Sequence, residues 1–259
     1  MTEKGFLAGW LDHRFVTVEV APDALPDAIA GMRAMGFRGA AIADPHKVAV
    51  VELLDAISDE ARWVGAVNCV YRDADDRYLG ENTDGKGCLA ALREIAPVEN
   101  KSAVVTGAGV TARAAAVELA RAGVAEITVV NRSTRRGQQL ADLLDEQLNI
   151  TAMFFPWSGR YEVPAETGIV VHAAAIPEEP SRSDPGLNLD ALEAGTVVAD
   201  MRITQPRTAI LEAAAQRGCT TVNGLDILVR QTGICFNLWT GLDPDYETMR
   251  EALEEFLEL

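Results

Sequence analysis

The sequence predicts an α/β fold that consists of two α/β domains. From Lys101 onward, short apolar strands alternate regularly with helices, which is the pattern of a parallel sheet covered by helices on both faces. Before that point strands and helices also alternate, and residues 97–100 (PVEN) have the composition of a linker. The 259 residues are enough for two ordinary domains.

The first hundred residues predict a mixed set of short elements. Residues 14–20 (RFVTVEV) alternate apolar and polar side chains as a strand does, and residues 23–35 place apolar side chains on one helical face that ends at Gly36. The other elements expected here are a strand at 37–43, a helix at 47–56, strands at 66–71 and 77–80 around a turn at 73–76, and a helix from about Gly85.

The second part of the chain predicts a regular series of parallel strands. They are expected near 101–106, 126–130, 150–155, 168–173, 195–200 and 219–223, with helices in most of the intervals. Residues 156–166 and 177–186 are rich in Pro, Gly and polar residues and are expected as loops. Two helices, 225–240 and 244–257, are expected to end the chain.

A glycine-rich turn follows the first strand of this series. It reads Gly107-Ala108-Gly109-Val110-Thr111-Ala112 and leads into a helix and a second apolar strand at 127–130. Strand, turn, helix and strand together are the context in which this pattern binds a dinucleotide. Gly107 permits the tight turn, Gly109 lets the backbone approach a pyrophosphate at the helix N-terminus, and Ala112 packs the helix on the strand.

The end of the second strand indicates which dinucleotide is bound. NAD sites usually place an acidic residue there for the ribose 2′-hydroxyl, whereas NADP sites accommodate the 2′-phosphate with an arginine. This strand ends on Asn131, Arg132 and Ser133, and Arg135 follows. Two arginines beside hydroxyl groups can bind a phosphate, so the sequence favours NADP. For Arg135 the alternative is an ordinary solvated helix face.

Composition and charge exclude several classes of function. The chain has 48% hydrophobic and 24% charged residues, no apolar run of membrane-spanning length, and no signal-peptide pattern. Its net charge of −16 argues against binding to nucleic acid or anionic membranes. The four cysteines are scattered and the three histidines have no ligand spacing, so we expect reduced thiols, no metal site and a cytoplasmic location.

Four further segments carry polar residues outside the glycine-rich turn. They are DPHK (44–47), GAVN (65–68), ENTDG (81–85), and the stretch from Asn223 to Gln231. Each has an ordinary structural interpretation when it is taken alone. Lys47 suits a solvated helical turn, Asn68 a strand end, Asn82 a helix cap, and Gln231 the polar face of a helix.

Together these segments and the nucleotide motif resemble the shikimate dehydrogenase family. The matching pieces are GFRGAAIADPHK (36–47), GAVN (65–68), LGENTDGKG (79–87), GAGVTARA (107–114), NRS (131–133) and NGLDILVRQTGICFNLWTG (223–241). They keep the order and spacing of the family over residues 14–245. The resemblance implies a substrate-binding domain, 1–98 with 238–259, and a Rossmann-type NADP domain, 99–237, with the C-terminal helices returning to the first.

The resemblance also implies a reaction. Family members transfer a hydride reversibly between NADPH and a ring ketone, and a Lys and an Asp that handle the proton map onto Lys47 and Asp84. An ammonium near the reacting oxygen stabilises developing alkoxide charge, and the carboxylate orients it. Asn68, Asn82 and Gln231 map onto positions that bind substrate hydroxyls. The residues expected to contact NADP are Gly107, Ala108, Gly109, Val110, Thr111, Asn131, Arg132, Ser133, Arg135 and Gly224.

The chain departs from the family where the substrate is recognised. It has no Ser-x-Ser and His-Asn motif for the substrate carboxylate, so either the first strand–helix unit is lost or residues 4–10 are a shortened remnant of it. A threonine that contacts a substrate hydroxyl is replaced by Ala43, the family's Asn-Ala-Thr reads His172-Ala-Ala, and a tyrosine after Asp200 is absent. Val110 replaces a third glycine of the phosphate turn.

We therefore expect a divergent, N-terminally shortened member that acts on a substrate other than shikimate, such as a cyclic or polyol ketone. Asp44 either repels a carboxylate from the site or caps a helix beginning near Pro45, and Arg202 is either a replacement carboxylate anchor or a surface residue. Three alternatives stay open: a genuine shikimate or quinate dehydrogenase, a non-catalytic NADP-binding regulatory protein, and a non-redox structural protein with an inherited fold. A lost strand unit would expose an edge or an apolar surface, which favours a homodimer.

Overall fold

The computed structural model of the chain describes residues 1–174, 186–203 and 206–258. The chain divides into two compact units, Met1–Gly87 with Val229–Leu259 and Cys88–Leu228. The boundaries predicted at 98/99 and 237/238 fall later in the chain than these divisions. The difference arises because each division lies inside a continuous helix, one over Thr83–Ile95 and one over Gly224–Thr240.

The first unit contains short strands and helices. Its helices are α1 (Thr2–Ala8), α2 (Leu25–Met35), α3 (Asp59–Val64), the start of α4 (Thr83–Ile95), most of α8 (Gly224–Thr240) and α9 (Tyr246–Leu257). Its strands are β1 (Gly39–Ala41), β2 (Ala56–Ile57), β3 (Cys69–Arg72) and β4 (Tyr78–Glu81). The strands form one mixed sheet in the order β1-β3-β4-β2, in which β1–β3 and β3–β4 are antiparallel and β2–β4 is parallel.

The expected strand at 14–20 is not formed. Residues 11–21 have no regular secondary structure, and Val16 and Val18 are 56% and 68% exposed. Alternation of side chains is not sufficient for a strand, because the backbone must also find a partner strand. Here the N–H of Phe15 bonds the Glu3 side chain instead, and the carbonyl of Val20 contacts His46 Nε2 at 2.9 Å.

The expected helix at 47–56 is also wrong. Only Ala49–Leu53 are helical, as a short 3-10 turn, and Ala56–Ile57 pair with β4 as the edge strand β2. The chain leaves the helical conformation at Leu54, and the N–H of Asp55 donates to the carbonyl of Tyr78 at 3.0 Å. The predicted helix therefore ends early, and its last residue, Ala56, belongs to the sheet.

Residues 4–10 mostly belong to helix α1 rather than to a strand. Phe6 is buried and its ring lies 5.7 Å from that of Phe236. Gly5 leaves room for this packing, since a Cβ there would lie 2.8 Å from the methyl carbon of Met249. The segment is thus a helical part of the first unit that packs against α8 and α9.

The second unit is a doubly wound α/β domain. Its strands are β5 (Ser102–Thr106), β6 (Glu126–Asn131), β7 (Thr151–Pro156), β8 (Tyr161–Glu162), β9 (Ile169–His172), β10 (Leu187–Asn188), β11 (Val197–Asp200) and β12 (Thr220–Val222). Its helices are the rest of α4, α5 (Val110–Arg121), α6 (Thr134–Leu148), α7 (Ala209–Gln216) and the start of α8.

Six of these strands form one parallel sheet in the order β12-β11-β9-β5-β6-β7, and β8 and β10 pair separately. Apolar side chains cover both faces, because alternate residues of the same strand enter two different clusters. Val105 and Val171 belong to one core cluster, and Val104 and Val170 to the other. This arrangement confirms the predicted series of parallel strands and the α/β fold class.

Two smaller expectations differ from the structure or lie outside it. The expected loop at 156–166 contains strand β8, which pairs with β10. Most of the expected loop at 177–186 lies outside the described residues. No helix among the described residues has the length and apolar character needed to cross a bilayer.

Candidate active and cofactor sites

Backbone hydrogen bonds bring three of the predicted motifs together in the first unit. The N–H of Ile42 donates to the carbonyl of Asn68 at 2.8 Å, and the N–H of Val67 donates to the carbonyl of Lys47 at 2.8 Å. The N–H of Asn68 in turn donates to the carbonyl of Glu81 at 3.1 Å. The DPHK, GAVN and ENTDG segments are therefore adjacent in space although they are far apart in sequence.

Lys47 and Asp84 form an ion pair at this junction. Lys47 Nζ lies 2.7 Å from Asp84 Oδ2, and the two side chains are 15% and 7% exposed. Asp84 lies in the first turn of α4, where the helix dipole favours a negative charge. A mostly buried ammonium beside a carboxylate that is itself held in place is suited to proton transfer.

Asn68 orients this carboxylate. Its Nδ2 donates to Asp84 Oδ1 at 2.7 Å and to Thr83 Oγ1 at 3.0 Å, while its Oδ1 accepts from the N–H of Thr83 at 2.7 Å. Asn68 is 2% exposed. Because both amide hydrogens are already used, a direct bond from this amide to a substrate hydroxyl would require one of them to be exchanged.

Asn82 forms the N-terminal cap of α4. Its Oδ1 accepts from the N–H of Asp84 at 3.2 Å, and its Nδ2 donates to the carbonyl of Ala66 at 3.1 Å. The residue is 1% exposed. The cap, which was the ordinary structural interpretation of this position, is present, and the assignment of Asn82 as a substrate ligand stays a prediction.

Gln231 lies on the helix that borders this cluster. It is half-buried in α8 and is followed one turn later by Cys235, whose Sγ lies 3.3 Å from Thr83 Oγ1. Residues four apart share a helix face, so Gln231 lies on the side of α8 that meets the cluster. Neither Thr83 nor Cys235 was predicted from the sequence, although Thr83 stood inside the quoted ENTDG motif; it is fully buried.

Asp44 and Ala43 lie in the turn that precedes Lys47. The N–H of His46 donates to the carbonyl of Ala43 at 3.0 Å, and Asp44 is exposed. No helix begins near Pro45, and the later 3-10 turn has Val48 at its N-terminus without a side-chain cap. The cap expected of Asp44 is therefore absent, and its carboxylate makes no hydrogen bond or ion pair with the residues that the structure describes.

The glycine-rich turn has the geometry expected of a phosphate-binding loop. Gly107 has a φ of +98°, and a Cβ there would lie 2.9 Å from the carbonyl oxygen of Ala173. Ala108 and Ala112 are buried, so neither position has room for a larger residue without rearrangement. The protein itself therefore requires small residues at these three positions.

Gly109 differs, because the protein does not require a glycine there. Its φ of −82° is open to any residue, and a Cβ would have no atom within 4 Å. It is exposed and forms the N-cap of α5 without a side-chain cap, and Val110 and Thr111 behind it are half-buried. A helix N-terminus without a side-chain cap, beside the open space at Gly109, fits a pyrophosphate, which the family motif implies.

The end of β6 places cations and hydroxyls at a second helix N-terminus. Ser133 caps α6 by accepting from the N–H of Arg136 at 3.4 Å, and Asn131 Nδ2 donates to the carbonyl of Ser133 at 2.9 Å. Arg132 and Arg135 are exposed, and the first turn of α6 has no acidic residue. This donor set fits a phosphate monoester such as the 2′-phosphate of NADP.

Gly224 has a structural reason to be glycine. A Cβ there would lie 1.9 Å from the carbonyl oxygen of Arg202, so this backbone approach excludes every other residue. Its predicted contact with the cofactor stays a prediction.

Arg202 is engaged inside the protein. Its Nε and Nη2 donate to the two carboxylate oxygens of Asp200 at 3.0 and 2.6 Å, and Asp200 also accepts from Thr208 Oγ1 at 2.7 Å. Burial is the largest influence on Asp200 and raises its pKa, but these hydrogen bonds outweigh it and the pKa is lowered overall. Neither expectation for Arg202 describes this pair, since the guanidinium is half-buried and already holds a carboxylate.

Comparison with known proteins gives the family. The family model described as shikimate dehydrogenase substrate binding domain matches residues 1–70, and the model described as shikimate / quinate 5-dehydrogenase matches residues 90–175. The shikimate dehydrogenase (NADP(+)) of Methanothermobacter thermautotrophicus is 34% identical over 99% of this chain and 91% of its own length.

Two solved structures illustrate the range of similar folds. The ligand-free 5-ketofructose reductase of Gluconobacter sp. strain CHM43 is 39% identical with a TM-score of 0.93, covering 98% of this chain and 92% of that one. The shikimate 5-dehydrogenase of Thermus thermophilus, in complex with NADP(H) and shikimate, is 30% identical with a TM-score of 0.81, also covering 98% and 92%. The chain therefore belongs to the shikimate dehydrogenase family of NADP-dependent oxidoreductases.

Proposed function

We propose that the protein reduces a neutral polyhydroxylated ketone with NADPH, reversibly, and uses Lys47 and Asp84 as its proton-transfer pair. The observation that carries the proposal is the mostly buried Lys47–Asp84 ion pair, at 2.7 Å, in a chain whose family motifs for binding a carboxylated substrate are missing. The chemistry of the family is retained while its usual substrate recognition is not.

The proposed chemistry divides simply among the groups of the site. NADPH supplies the hydride when it is bound. As charge develops on the carbonyl oxygen, the Lys47 ammonium stabilises it and donates a proton. Asp84 keeps the ammonium in position, and Asn68 keeps Asp84 in position through the bond to Oδ1. Gln231 and Asn82 are proposed to contact substrate hydroxyls.

Two features support a substrate other than shikimate. Ala43 cannot donate the hydrogen bond that a threonine would, and the exposed Asp44 adds a negative charge three residues before Lys47. A carboxylate on the substrate would be repelled by Asp44 if the two approach. The similar 5-ketofructose reductase is named for a ketone that has several hydroxyl groups and no carboxylate, and it is 39% identical, against 30% for the Thermus enzyme.

The experiment compares substrates with purified protein. NADPH oxidation is followed with 5-ketofructose and with 3-dehydroshikimate, and NADP reduction with fructose, shikimate and quinate. We expect kcat/KM for the ketofructose to exceed that for dehydroshikimate by about 10²-fold or more, because missing polar partners discriminate strongly. Preference for shikimate or quinate would refute the proposed substrate class and favour the first alternative.

Two further outcomes are informative. NADPH binding without turnover of any of these compounds would favour the non-catalytic regulatory protein over the enzyme. In Asp44→Asn, the rate with dehydroshikimate should rise relative to that with ketofructose, because a negative charge is removed. An unchanged substrate preference in this variant would exclude Asp44 from recognition.

The proposals on assembly and location are separate from the chemistry. Phe15, Val16 and Val18 form an exposed apolar stretch beside Arg14 and Glu19 in the segment that forms no strand. We keep a homodimer as a proposal, since a second subunit would cover such a surface. Light scattering coupled to size-exclusion chromatography gives the mass of the particle directly. A monomeric mass at all concentrations tested would refute the homodimer. A cytoplasmic location stays a proposal that rests on reduced thiols.

A further inference from the structure

Three polar side chains end three neighbouring strands of the parallel sheet. Thr106 ends β5, His172 ends β9 and Asp200 ends β11, and the strand register pairs Thr106 with His172 and His172 with Asp200. All three are buried, with exposures of 0%, 5% and 0%. From the sequence alone, His172 was only a departure from the family pattern and had no predicted role.

This row lies where the strand order of the sheet reverses. From β5 the chain moves outward to β6 and β7 on one side, and then to β9 and β11 on the other. Dinucleotides bind outside the carboxyl ends of the strands at such a switch point. Thr106 and His172 are the last residues of the two strands that flank it.

A hydrogen bond joins these two strand ends. Thr106 Oγ1 and His172 Nδ1 are 2.8 Å apart, and the imidazole lies edge-on to Trp157 with ring centroids 6.4 Å apart. Burial is the main influence on His172 and lowers its pKa; Asp200 opposes this and Arg202 adds to it. The ring is therefore neutral near pH 7. Its Nδ1 can either donate a hydrogen bond to the Thr106 hydroxyl or accept one from it, depending on the tautomer.

The same strand ends support the phosphate turn. Gly107 directly follows Thr106, and its Cα lies against the backbone of Ala173, since a Cβ there would be 2.9 Å from the carbonyl oxygen. The N–H of Gly107 donates to the carbonyl of Val130 at 2.8 Å. The turn is thus held between β6 on one side and the residues after His172 on the other.

We propose that His172 is a positioning residue for NADP, which acts through Thr106 to fix the phosphate turn Gly107–Gly109 at the switch point. It does not touch the cofactor in this role. The inference rests on the proposed cofactor contacts of that turn, and it is independent of which ketone is the substrate. Loss of the bond should loosen the turn and weaken cofactor binding without altering the chemistry of the ketone.

The test is a double-mutant cycle on NADPH affinity, measured by cofactor fluorescence without substrate. Thr106→Val and His172→Phe remove the two partners and keep the bulk of each side chain. We expect each single variant to bind NADPH about tenfold more weakly than the unmodified protein. The double variant should bind no more weakly than the weaker-binding single variant, because the two changes break one bond. At saturating NADPH, kcat should stay within about twofold of that of the unmodified protein.

Two variants distinguish positioning from general destabilisation. His172→Asn keeps a side chain that can bond Thr106 and should restore affinity to within about threefold. Thr196→Val is the matched control: its hydroxyl donates to the carbonyl of Thr167 at 3.0 Å, it is similarly buried, and it precedes β11 at the amino-terminal edge of the sheet. Its affinity should be unchanged.

The proposal fails if the single variants bind NADPH normally, if their effects multiply in the double variant, or if Thr196→Val weakens binding as much. If His172→Phe does not fold, Thr106→Val and Thr106→Ser decide, since only serine keeps the hydroxyl. The proposal is overturned if Thr106→Ser binds NADPH as weakly as Thr106→Val does. Because binding is measured without a ketone, a wrong substrate class would leave this result intact.

Discussion

The strongest prediction concerns Lys47, because the chain supplies its own control for the substitution. Lys47→Met removes the ammonium beside Asp84 and keeps most of the side-chain length. Lys86→Met does the same at a similar ion pair, in which Lys86 Nζ lies 2.9 Å from Glu81 Oε2 with exposures of 29% and 9%. Each variant leaves one mostly buried carboxylate without its lysine.

Lys47→Met and Lys86→Met should differ in their loss of activity and should lose similar amounts of stability. Loss of a general acid typically lowers the rate by about 10²- to 10⁴-fold, which is about 3 to 5 kcal/mol of barrier. Both variants should lose about 1 to 3 kcal/mol of unfolding free energy, less than for a fully buried pair. The loss is limited because Asp84 keeps its bond from Asn68 and Glu81 keeps its bond from Ser58 Oγ.

The assay is kcat/KM for the best ketone substrate, with urea unfolding and NADPH fluorescence measured on the same preparations. Lys47→Met should bind NADPH and lose turnover, whereas Lys86→Met should remain within about tenfold of the unmodified protein. If both variants lost the same amount of activity, the loss would be explained by lower stability and not by a role of Lys47 in the reaction. Retained turnover in Lys47→Met would show that Lys47 is not the proton donor.

Three further predictions follow from the second unit. Because hydrogen bonds lower the pKa of Asp200, its ionised form stabilises the protein above the unfolded value of about 4 and loses that effect as pH falls. Asp200→Asn should therefore cost about 2 to 4 kcal/mol in urea unfolding at pH 7, by leaving Arg202 without its anion, and the difference from the unmodified protein should shrink near pH 3. Arg132→Ala combined with Arg135→Ala should weaken NADPH binding by about tenfold or more and leave NADH binding nearly unchanged. Equilibrium titrations at fixed salt concentration measure both affinities. If NADPH and NADH affinity fall equally, the 2′-phosphate binds elsewhere. Burial raises the pKa of the Cys88 thiol to about 12, so mass spectrometry after iodoacetamide at pH 8 should find it unlabelled in folded protein and labelled in urea, and rapid labelling when folded would contradict its burial.

The parallel sheet could be predicted from sequence because its signals are local and repeated. Each buried strand is a short apolar run, and each is set off by a glycine or a polar end, as at Gly107 and Asn131. The failures lie in the first unit, where long-range partners decide the structure. The alternation of residues 14–20 carries no information on whether a second strand is available, and β2 forms only because the edge of β4 is open to it.

The candidate site shows the same division. The motif positions were predictable, and the structure brings both Lys47 and Asn68 within hydrogen-bonding distance of Asp84. The engagement of Asn68 with Thr83 could not be predicted, since it depends on the exact meeting of two segments. The bond between Thr106 and His172 was hidden for another reason: it depends on strand register across a sheet, and no spacing in the sequence reports register.

The complete internal bonding of Asn68 has an evolutionary consequence. The amide that aligns Asp84 takes both of its acceptors and its donor from the protein, so the ion pair that we propose for proton transfer is held in place by the protein alone. Substitutions at positions 43 and 44, which we propose to select the substrate, would then change the accepted ketone and leave this ion pair intact. Under the proposed function, a lineage with this arrangement can exchange one ketone for another by small steps, each of which leaves the ion pair in place.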